Sequence, residues 1–244
     1  MRIAPAITLS LSLAGTAQAQ FPPEKLENLK VFPKDIPVRA LIDTMAGFTR
    51  ALGVRCTFCH VGEEGKPLST YDFKSDDKHT KEAARVMLGM VAAINGAQLG
   101  KLEHRHEPRI TVTCATCHRG VSEPRPLQQV LMIAYDSGGA DAAEKTYREL
   151  RERYYGRASY DFGDVPLADV ANALRQKSMT DALRFHALNL EFAPNSAFAQ
   201  RQAGQAYLAA GDTAKAIASF ERAVAIQPND RQTVRLLESL KKQP

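Results

Sequence analysis

The chain has no tryptophan, no cysteine outside two short motifs and no dense run of lysine or arginine. The missing basic run removes the main sequence support for nucleic-acid binding. The four cysteines all belong to the two motifs, so no thiol is left for another purpose. Beyond the first residues there is no long apolar run, and no membrane-spanning segment is expected there.

The first nineteen residues are predicted to be a signal peptide. Arg2 precedes an apolar stretch of small residues, and Ala17-Gln18-Ala19 has the form of a cleavage site. The apolar stretch is too short to span a bilayer. No cysteine follows directly after cleavage before Gln20, so a lipid anchor is not expected. The signal peptide predicts an exported, periplasmic protein. Loss of Arg2 lowers the formal net charge from +5 to +4, and the remaining positive charge suits docking to an acidic redox partner.

Both cysteine pairs have the form C-x-x-C-H, in Cys56-Thr57-Phe58-Cys59-His60 and Cys114-Ala115-Thr116-Cys117-His118. Two thiols separated by two residues can form thioethers with the two vinyl groups of one haem. The following histidine can then bind the iron. The two pentapeptides therefore predict two covalently bound haem c groups, with His60 and His118 as proximal ligands.

Three other interpretations of the cysteines fit the sequence less well. A disulfide framework does not explain a histidine directly after both second cysteines. A zinc ribbon needs its two cysteine pairs about 15–20 residues apart, and the interval from Cys59 to Cys114 is far longer. A thioredoxin-like pair follows a strand and opens a helix, and the sequence around Cys56 lacks that pattern.

Each pentapeptide is preceded by a helical pattern that contains a methionine. Leu41, Met45, Phe48 and Leu52 repeat with helical spacing, and Gly53 is the predicted helix end. A second pattern places Ala83, Met87, Met90 and Ile94 on one face, and Asn95-Gly96 is predicted to end it. A methionine thioether as sixth ligand raises the reduction potential and closes the iron to small ligands, so Met45 and Met87 are candidate ligands. Core packing is the usual role of such methionines, and Met90 is a rival to Met87.

Three segments around the two motifs resemble a known haem-binding family, and this resemblance concerns the methionine ligands. The segments from Met45 to Cys56, from Ala84 to Met90 and from Val112 to Gly120 resemble the haem-binding units of the cytochrome subunit of photosynthetic reaction centres. The resemblance implies that Met45 binds the first haem iron and that Met87 binds the second. That subunit carries four haems and this chain has two motifs, so a photosynthetic role does not follow.

The remaining histidines and several basic residues are secondary candidates. His104 and His106 are interpreted as solvated loop residues, His79 as a surface residue and His186 as part of a packed core. Basic residues near the motifs could pair with haem propionates, although solvated helix charges are an equally good interpretation. These residues are Arg55, Arg85, Lys101 and Arg119.

From Leu127 the composition becomes rich in alanine, and a period of thirty-four residues is present. Residues 197–230 match the tetratricopeptide pattern through Gly204, Tyr207, Gly211, Ala216, Phe220, Ala223 and Pro228. A shift of thirty-four residues recovers Ala182 and Pro194, but puts His186 at an aromatic position and Val170 at a glycine position. Arg231 to Lys242 is predicted to cap the stack, and the helix around Ala140 to Tyr155 is expected to pack against the repeats.

These observations predict a mainly α protein. Its parts are a signal peptide (1–19), a dihaem cytochrome c domain of helix-plus-haem-site units (20–125), a helical connector (126–162) and tetratricopeptide-like repeats with a capping helix (163–244). The favoured function is single-electron transfer between redox partners, with the repeats for protein docking. The alternatives are a dihaem peroxidase and a haem-based redox or gas sensor, each with one open haem.

Overall fold

The computed structural model describes residues 20–104 and 107–242. The predicted signal peptide and His106 lie outside these residues. The described chain is mainly helical, as predicted, and its one pairing of extended backbone is an isolated antiparallel bridge between Val61 and Asp72. It divides into two compact units, with the boundary between Gly120 and Val121. Among the described residues, no helix is long and apolar enough to cross a membrane.

The first unit contains three α-helices in its described part: α1 (Val38–Leu52), α2 (His79–Ala93) and α3 (Cys114–His118). Helix α1 ends at Gly53, whose φ of +67° is left-handed, so the predicted helix end is confirmed. Helix α2 continues into a wider turn over Ile94–Gln98 and a short 3₁₀ turn over Leu99–Lys101. The α-helix therefore ends at Ala93, close to the predicted Asn95-Gly96 stop.

The first unit buries few apolar side chains. Ala51, at 8% exposure, is the one buried apolar residue in the described part of this unit. Helix α2 has apolar residues on two sides: Leu88 and Val91 are half-buried, whereas Met87 and Met90 are 44% and 46% exposed. The predicted methionine face of α2 is therefore not packed into a protein core.

The second unit contains six α-helices in its described part. They are α4 (Leu127–Tyr154), α5 (Asp164–Leu174), α6 (Met179–Phe192), α7 (Ala197–Ala209), α8 (Thr213–Ile226) and α9 (Arg231–Lys241). Helix α4 is interrupted at Gly138 and Gly139, and Gly139 has a φ of +71°. Aspartate or serine side chains cap α6, α7, α8 and α9, which fixes where each helix begins.

Helices α5 to α8 form two consecutive hairpins with the predicted spacing of thirty-four residues. Ala182 and Ala216 occupy equivalent positions and both are fully buried. The two departures from the repeat pattern also lie inside: Val170 is fully buried and His186 is 2% exposed. Packing was the predicted role of His186, and its burial confirms that role.

A volume exchange accounts for the degenerate first hairpin. In the second hairpin, a Cβ added to Gly204 would lie 2.7 Å from the Phe220 ring, so the large ring requires a glycine opposite it. Thirty-four residues earlier, the smaller imidazole of His186 replaces the aromatic ring and Val170 replaces the glycine. Val170 is larger than the glycine of the second hairpin, and His186 is smaller than its phenylalanine. The two changes in side-chain volume offset each other, so the interior stays filled.

The predicted contribution of α4 to the repeat core is observed. Leu127, Leu131, Ala143 and Tyr147 of α4 belong to the same buried cluster as residues of α5 and α6. A second cluster joins α8 to α9 through Phe220 and Leu237. Arg148 adds polar contacts between α4 and α6, because its guanidinium donates to both Glu144 and Glu191. Helices α4 and α9 thus flank the two hairpins.

Candidate haem-attachment sites

The first pentapeptide forms one tight turn. Cys56–Phe58 is a 3₁₀ turn, and the N–H groups of Cys59 and His60 both donate to the carbonyl of Cys56, at 3.2 and 2.9 Å. Residues three and four apart lie on the same side of a helical turn. The fold therefore presents both thiols and the imidazole within one turn, as haem attachment requires.

The second pentapeptide is the short helix α3. Thr113 precedes it, and Thr113 and Thr116 cap each other reciprocally through side chain and backbone. Arg119 ends the helix in a left-handed conformation with a φ of +49°. Cys114, Cys117 and His118 therefore also lie within one turn, although that turn is α-helical and the first pentapeptide begins as a 3₁₀ turn. None of the four cysteines forms a disulfide.

The side chain of His60 is held by an aromatic group from the following loop. Phe73 meets the imidazole edge-on, with ring centroids 5.0 Å apart, and Tyr71 stacks on Phe73 at 5.8 Å. The bridge between Val61 and Asp72 closes this loop. A Cβ on Gly62 would lie 2.5 Å from the Tyr71 ring, so glycine is needed for the close approach. The loop thus orients the predicted iron ligand.

The environment of His60 keeps its ring neutral. Burial, together with the charges of Lys81 and Arg85, lowers the pKa of His60 to about 4. Its Nδ1 atom is buried and has no hydrogen-bond partner among the described residues. A neutral imidazole is the form that binds metal, and the burial of Nδ1 leaves Nε2 for that role. The residues present therefore fit a haem iron ligand.

Burial also affects the first cysteine pair. It raises the pKa of the Cys59 thiol, although the nearby Thr80 hydroxyl acts in the opposite direction. A reactive redox cysteine needs a lowered pKa, because the thiolate is the nucleophile. This environment argues against the thioredoxin-like interpretation of the first pair.

Helix α2 is tied to both attachment sites. At its beginning, the Thr80 hydroxyl donates to the Phe58 carbonyl inside the first pentapeptide. Just beyond its end, the Asn95 side chain bonds the backbone of Val112 twice, donating to the carbonyl and accepting from the N–H, each at 2.8 Å. Val112 lies two residues before the second pentapeptide. The helix therefore spans the distance between the two sites.

A second connection is made by backbone alone. The N–H of Gly120 donates to the carbonyl of Ala51 at 2.8 Å. A Cβ added to Gly53 would lie only 2.1 Å from the Gly120 oxygen, so the two chain segments are in direct contact. Gly53 lies three residues before the first pentapeptide and Gly120 two residues after the second. The two sites are therefore joined within the first unit.

The structure places the other predicted residues as follows. Met45 is half-buried on α1, and His79 and His104 are exposed, as predicted. Three of the proposed propionate partners have protein partners: Arg55 with Glu64, Arg85 with Asp76 and Glu82, and Arg119 with the Thr116 carbonyl. Lys101 ends the 3₁₀ turn that follows α2.

Several residues around the sites were not found from the sequence. Phe73, Thr80 and Asn95 act through contacts with chain segments that are distant in sequence, and such contacts leave no local pattern. Asn95 was interpreted as part of a helix stop, and its position next to a glycine was the one available signal. In the part of the chain that the structure describes, no group of three or more His, Cys, Asp or Glu side chains could hold a metal ion.

Two protein-family models match this chain. Residues 24–144 match the family model described as the photosynthetic reaction centre cytochrome C subunit, and residues 197–238 match a tetratricopeptide repeat. A solved structure described as "First TPR of Spaghetti (RPAP3) bound to HSP90 peptide SRMEEVD" is 19% identical, with a TM-score of 0.33. The match covers 48% of this chain and 88% of that one. The search of curated proteins gave no match.

The protein is therefore a cytochrome-c-like protein with a C-terminal tetratricopeptide repeat region. Its N-terminal part is similar to the photosynthetic reaction centre cytochrome C subunit family over residues 24–144, and this match continues into the first part of α4. Haem c is the cofactor that this family implies.

Proposed function

We propose that this protein is an exported dihaem c-type cytochrome that passes single electrons between redox partner proteins. The observation that carries the proposal is the shared geometry of the two pentapeptides. Each forms one helical turn that presents two thiols and a histidine together, and both turns lie in the domain that matches a haem-binding family. A single attachment motif would support a cytochrome, but two linked sites support a dihaem protein.

In this proposal the chain's own groups hold two haems and set their properties. Bound haem c would supply an iron that gains or loses one electron. Cys56 and Cys59 anchor the first haem, and Cys114 and Cys117 anchor the second. His60 offers a neutral imidazole that Phe73 orients, and His118 has the equivalent place in the second pentapeptide.

Met45 and Met87 are the proposed sixth ligands for the first and second haem, respectively. Met87 is 44% exposed on a helix face that meets no protein core, so core packing does not account for it. A thioether on the second face of each iron would close it to small ligands and raise its potential. Both features suit an electron carrier rather than an enzyme.

The first test is the visible spectrum of the ferrous protein, matured in a host that attaches haem c, before and after carbon monoxide is added. We expect two haems per chain and little spectral change, because six-coordinate irons have no free position. One haem per chain would contradict the dihaem proposal. A carbon monoxide shift on one haem would reveal an open iron and favour the peroxidase or sensor alternative.

The ligand assignments have a matched control. Met87→Ala and Met90→Ala remove equally exposed methionines, at 44% and 46%, from the same helix. We expect Met87→Ala to lower one reduction potential and to permit carbon monoxide binding, whereas Met90→Ala should change neither. Met45→Ala should act in the same way on the other haem. If Met90→Ala lowers the potential and Met87→Ala does not, Met90 is the sixth ligand of the second haem instead of Met87.

The repeat region is the proposed docking surface, because stacked helical hairpins offer extended surfaces to other proteins. Gln205 lies exposed on α7 and belongs to neither core cluster. Gln205→Arg should slow electron exchange with the periplasmic protein fraction of the source cell and leave reduction by ascorbate unchanged. Equal slowing of both reactions would point to damage at the haems instead.

A further inference from the structure

One carboxylate in the first unit joins three separate segments of the chain. Asp76 accepts hydrogen bonds from Asn28 and Lys30 of the N-terminal segment, at 2.8 and 2.7 Å. It also forms ion pairs with Lys81 at 3.2 Å and Arg85 at 2.9 Å, both on α2. The loop before α2 supplies Asp76 itself. None of the haem-binding roles proposed above uses this residue.

The two cations from α2 are largely withdrawn from water. The side chains of Lys81 and Arg85 are each only 11% exposed, whereas the side chains in the other ion pairs of this unit are 35–86% exposed. Buried cations need a counter-charge, because transfer of an unpaired charge out of water is costly. Arg85 has a second carboxylate partner, Glu82 at 2.9 Å, but that carboxylate is 61% exposed. Asp76 is the carboxylate that pairs with both cations.

These cations lie beside the proposed first iron ligand. The Lys81 ammonium donates to the carbonyl of Phe73 at 2.9 Å and to that of Ser75 at 2.6 Å. The ring of Phe73 in turn contacts the imidazole of His60 at 5.0 Å. Burial is the main cause of the lowered pKa of His60, and the charges of Lys81 and Arg85 add to it, which agrees with this proximity. Any iron bound to His60 would experience the same charges.

We propose that Asp76 is a positioning residue for the first haem site, which holds Lys81 and Arg85 beside His60 and balances their charge. Through this pairing it sets the reduction potential of the first haem. The inference rests on the proposed dihaem function and deepens it. Removal of the negative charge leaves Lys81 held by two backbone carbonyls, so its positive charge stays in place. Excess positive charge favours the ferrous state over the ferric state, which carries one more positive charge.

The test is a redox titration of the holoprotein in two variants, one that removes a negative charge and one that removes a positive charge. Asp76→Asn should raise the potential of one haem, and Lys81→Met should lower the potential of the same haem. The other haem should be unchanged in both variants. The affected haem should be the one that loses its sixth ligand in Met45→Ala. A purely structural disturbance would not shift one potential in opposite directions.

Asp43→Asn is the matched control. It removes the same charge from the same unit, but Asp43 forms an exposed ion pair with Arg39 in which the two side chains are 61% and 86% exposed. This variant should leave both potentials at their wild-type values. Asp76→Glu keeps the charge and should restore most of the wild-type potential.

The outcomes separate this inference from the proposed function. Two haems with unchanged potentials in Asp76→Asn and Lys81→Met would overturn the role of Asp76 and leave the dihaem proposal standing. A wild-type protein without covalent haem would overturn the proposed function, and this inference with it. If Asp76→Asn does not mature, Lys81→Met decides alone: a lowered potential supports the role, and an unchanged potential overturns it.

Discussion

The contact between Gly53 and Gly120 gives the sharpest stability prediction. Gly53→Ala would place a methyl group 2.1 Å from the backbone oxygen of Gly120, and backbone cannot move aside as a flexible side chain can. The substitution also forces alanine into a φ of +67°, which costs about 1–2 kcal/mol. Separation of the segments would weaken the bond from the Gly120 N–H to the Ala51 carbonyl, worth about 0.5–1.5 kcal/mol. The expected loss is therefore about 1.5–3.5 kcal/mol in the free energy of unfolding.

Gly65→Ala separates the cost of the left-handed backbone conformation from the cost of the contact with Gly120. Gly65 has a φ of +83°, but nothing lies within 4 Å of its added Cβ. It should therefore lose only the conformational part, about 1–2 kcal/mol. Urea unfolding of the holoprotein, followed by the haem absorption band, reports on the first unit and gives both values by linear extrapolation. Equal destabilisation in the two variants would refute the argument that a backbone contact joins the two sites.

Three further predictions concern single side chains. Gly204→Ala should cost about 1–3 kcal/mol in thermal unfolding of the second unit, because its Cβ would lie 2.7–3.0 Å from the Phe220 ring. Burial lowers the pKa of His186 to about 4 in the folded protein. As the pH falls, His186 is therefore protonated in the unfolded chain before it is protonated in the folded protein, and the free energy of unfolding of the wild type should drop by about 2 kcal/mol between pH 7 and pH 5. His186→Phe should remove that loss. Asn95→Leu deletes both hydrogen bonds to Val112 and should cost about 1–3 kcal/mol in urea unfolding of the first unit.

Each of these has its own control. Phe220→Leu in the Gly204→Ala background should recover part of the lost stability, and no recovery would mean that the ring is not the source of strain. The pH prediction uses the difference between wild type and His186→Phe, so that the contribution of His60 cancels. An unchanged pH dependence in that variant would refute it. For Asn95, exposed Gln98→Leu in the same unit serves as the matched amide replacement and should be nearly neutral.

Local pattern was sufficient to predict the helices and the repeats. The spacing of Leu41, Met45, Phe48 and Leu52 predicts α1, and the left-handed Gly53 confirms its end. The period of thirty-four residues predicts the two hairpins, even though His186 and Val170 depart from the pattern. These features are encoded by neighbours in sequence or by repetition, so a single chain displays them.

Long-range contacts could not be predicted in this way. Gly53 was identified as a helix end, but its close approach to Gly120 depends on a partner that is distant in sequence. Asp76 joins Asn28, Lys30 and two residues of α2, and nothing near it in sequence marks it as more than a loop aspartate. Such contacts depend on tertiary structure, which periodicity does not reveal.

The attachment of α2 at both ends restricts how this chain can change length. Thr80 and Asn95 are fifteen residues apart, or about 22 Å along a helix, and each must face its own site. One inserted residue would rotate one anchor relative to the other by about 100°, because a helix has about 3.6 residues per turn. An insertion or deletion between Thr80 and Asn95 should therefore break one of the two attachments, and related proteins should keep this length. The segment from Leu102 to Arg109 carries neither anchor, and natural variation in the length of this domain should accumulate there.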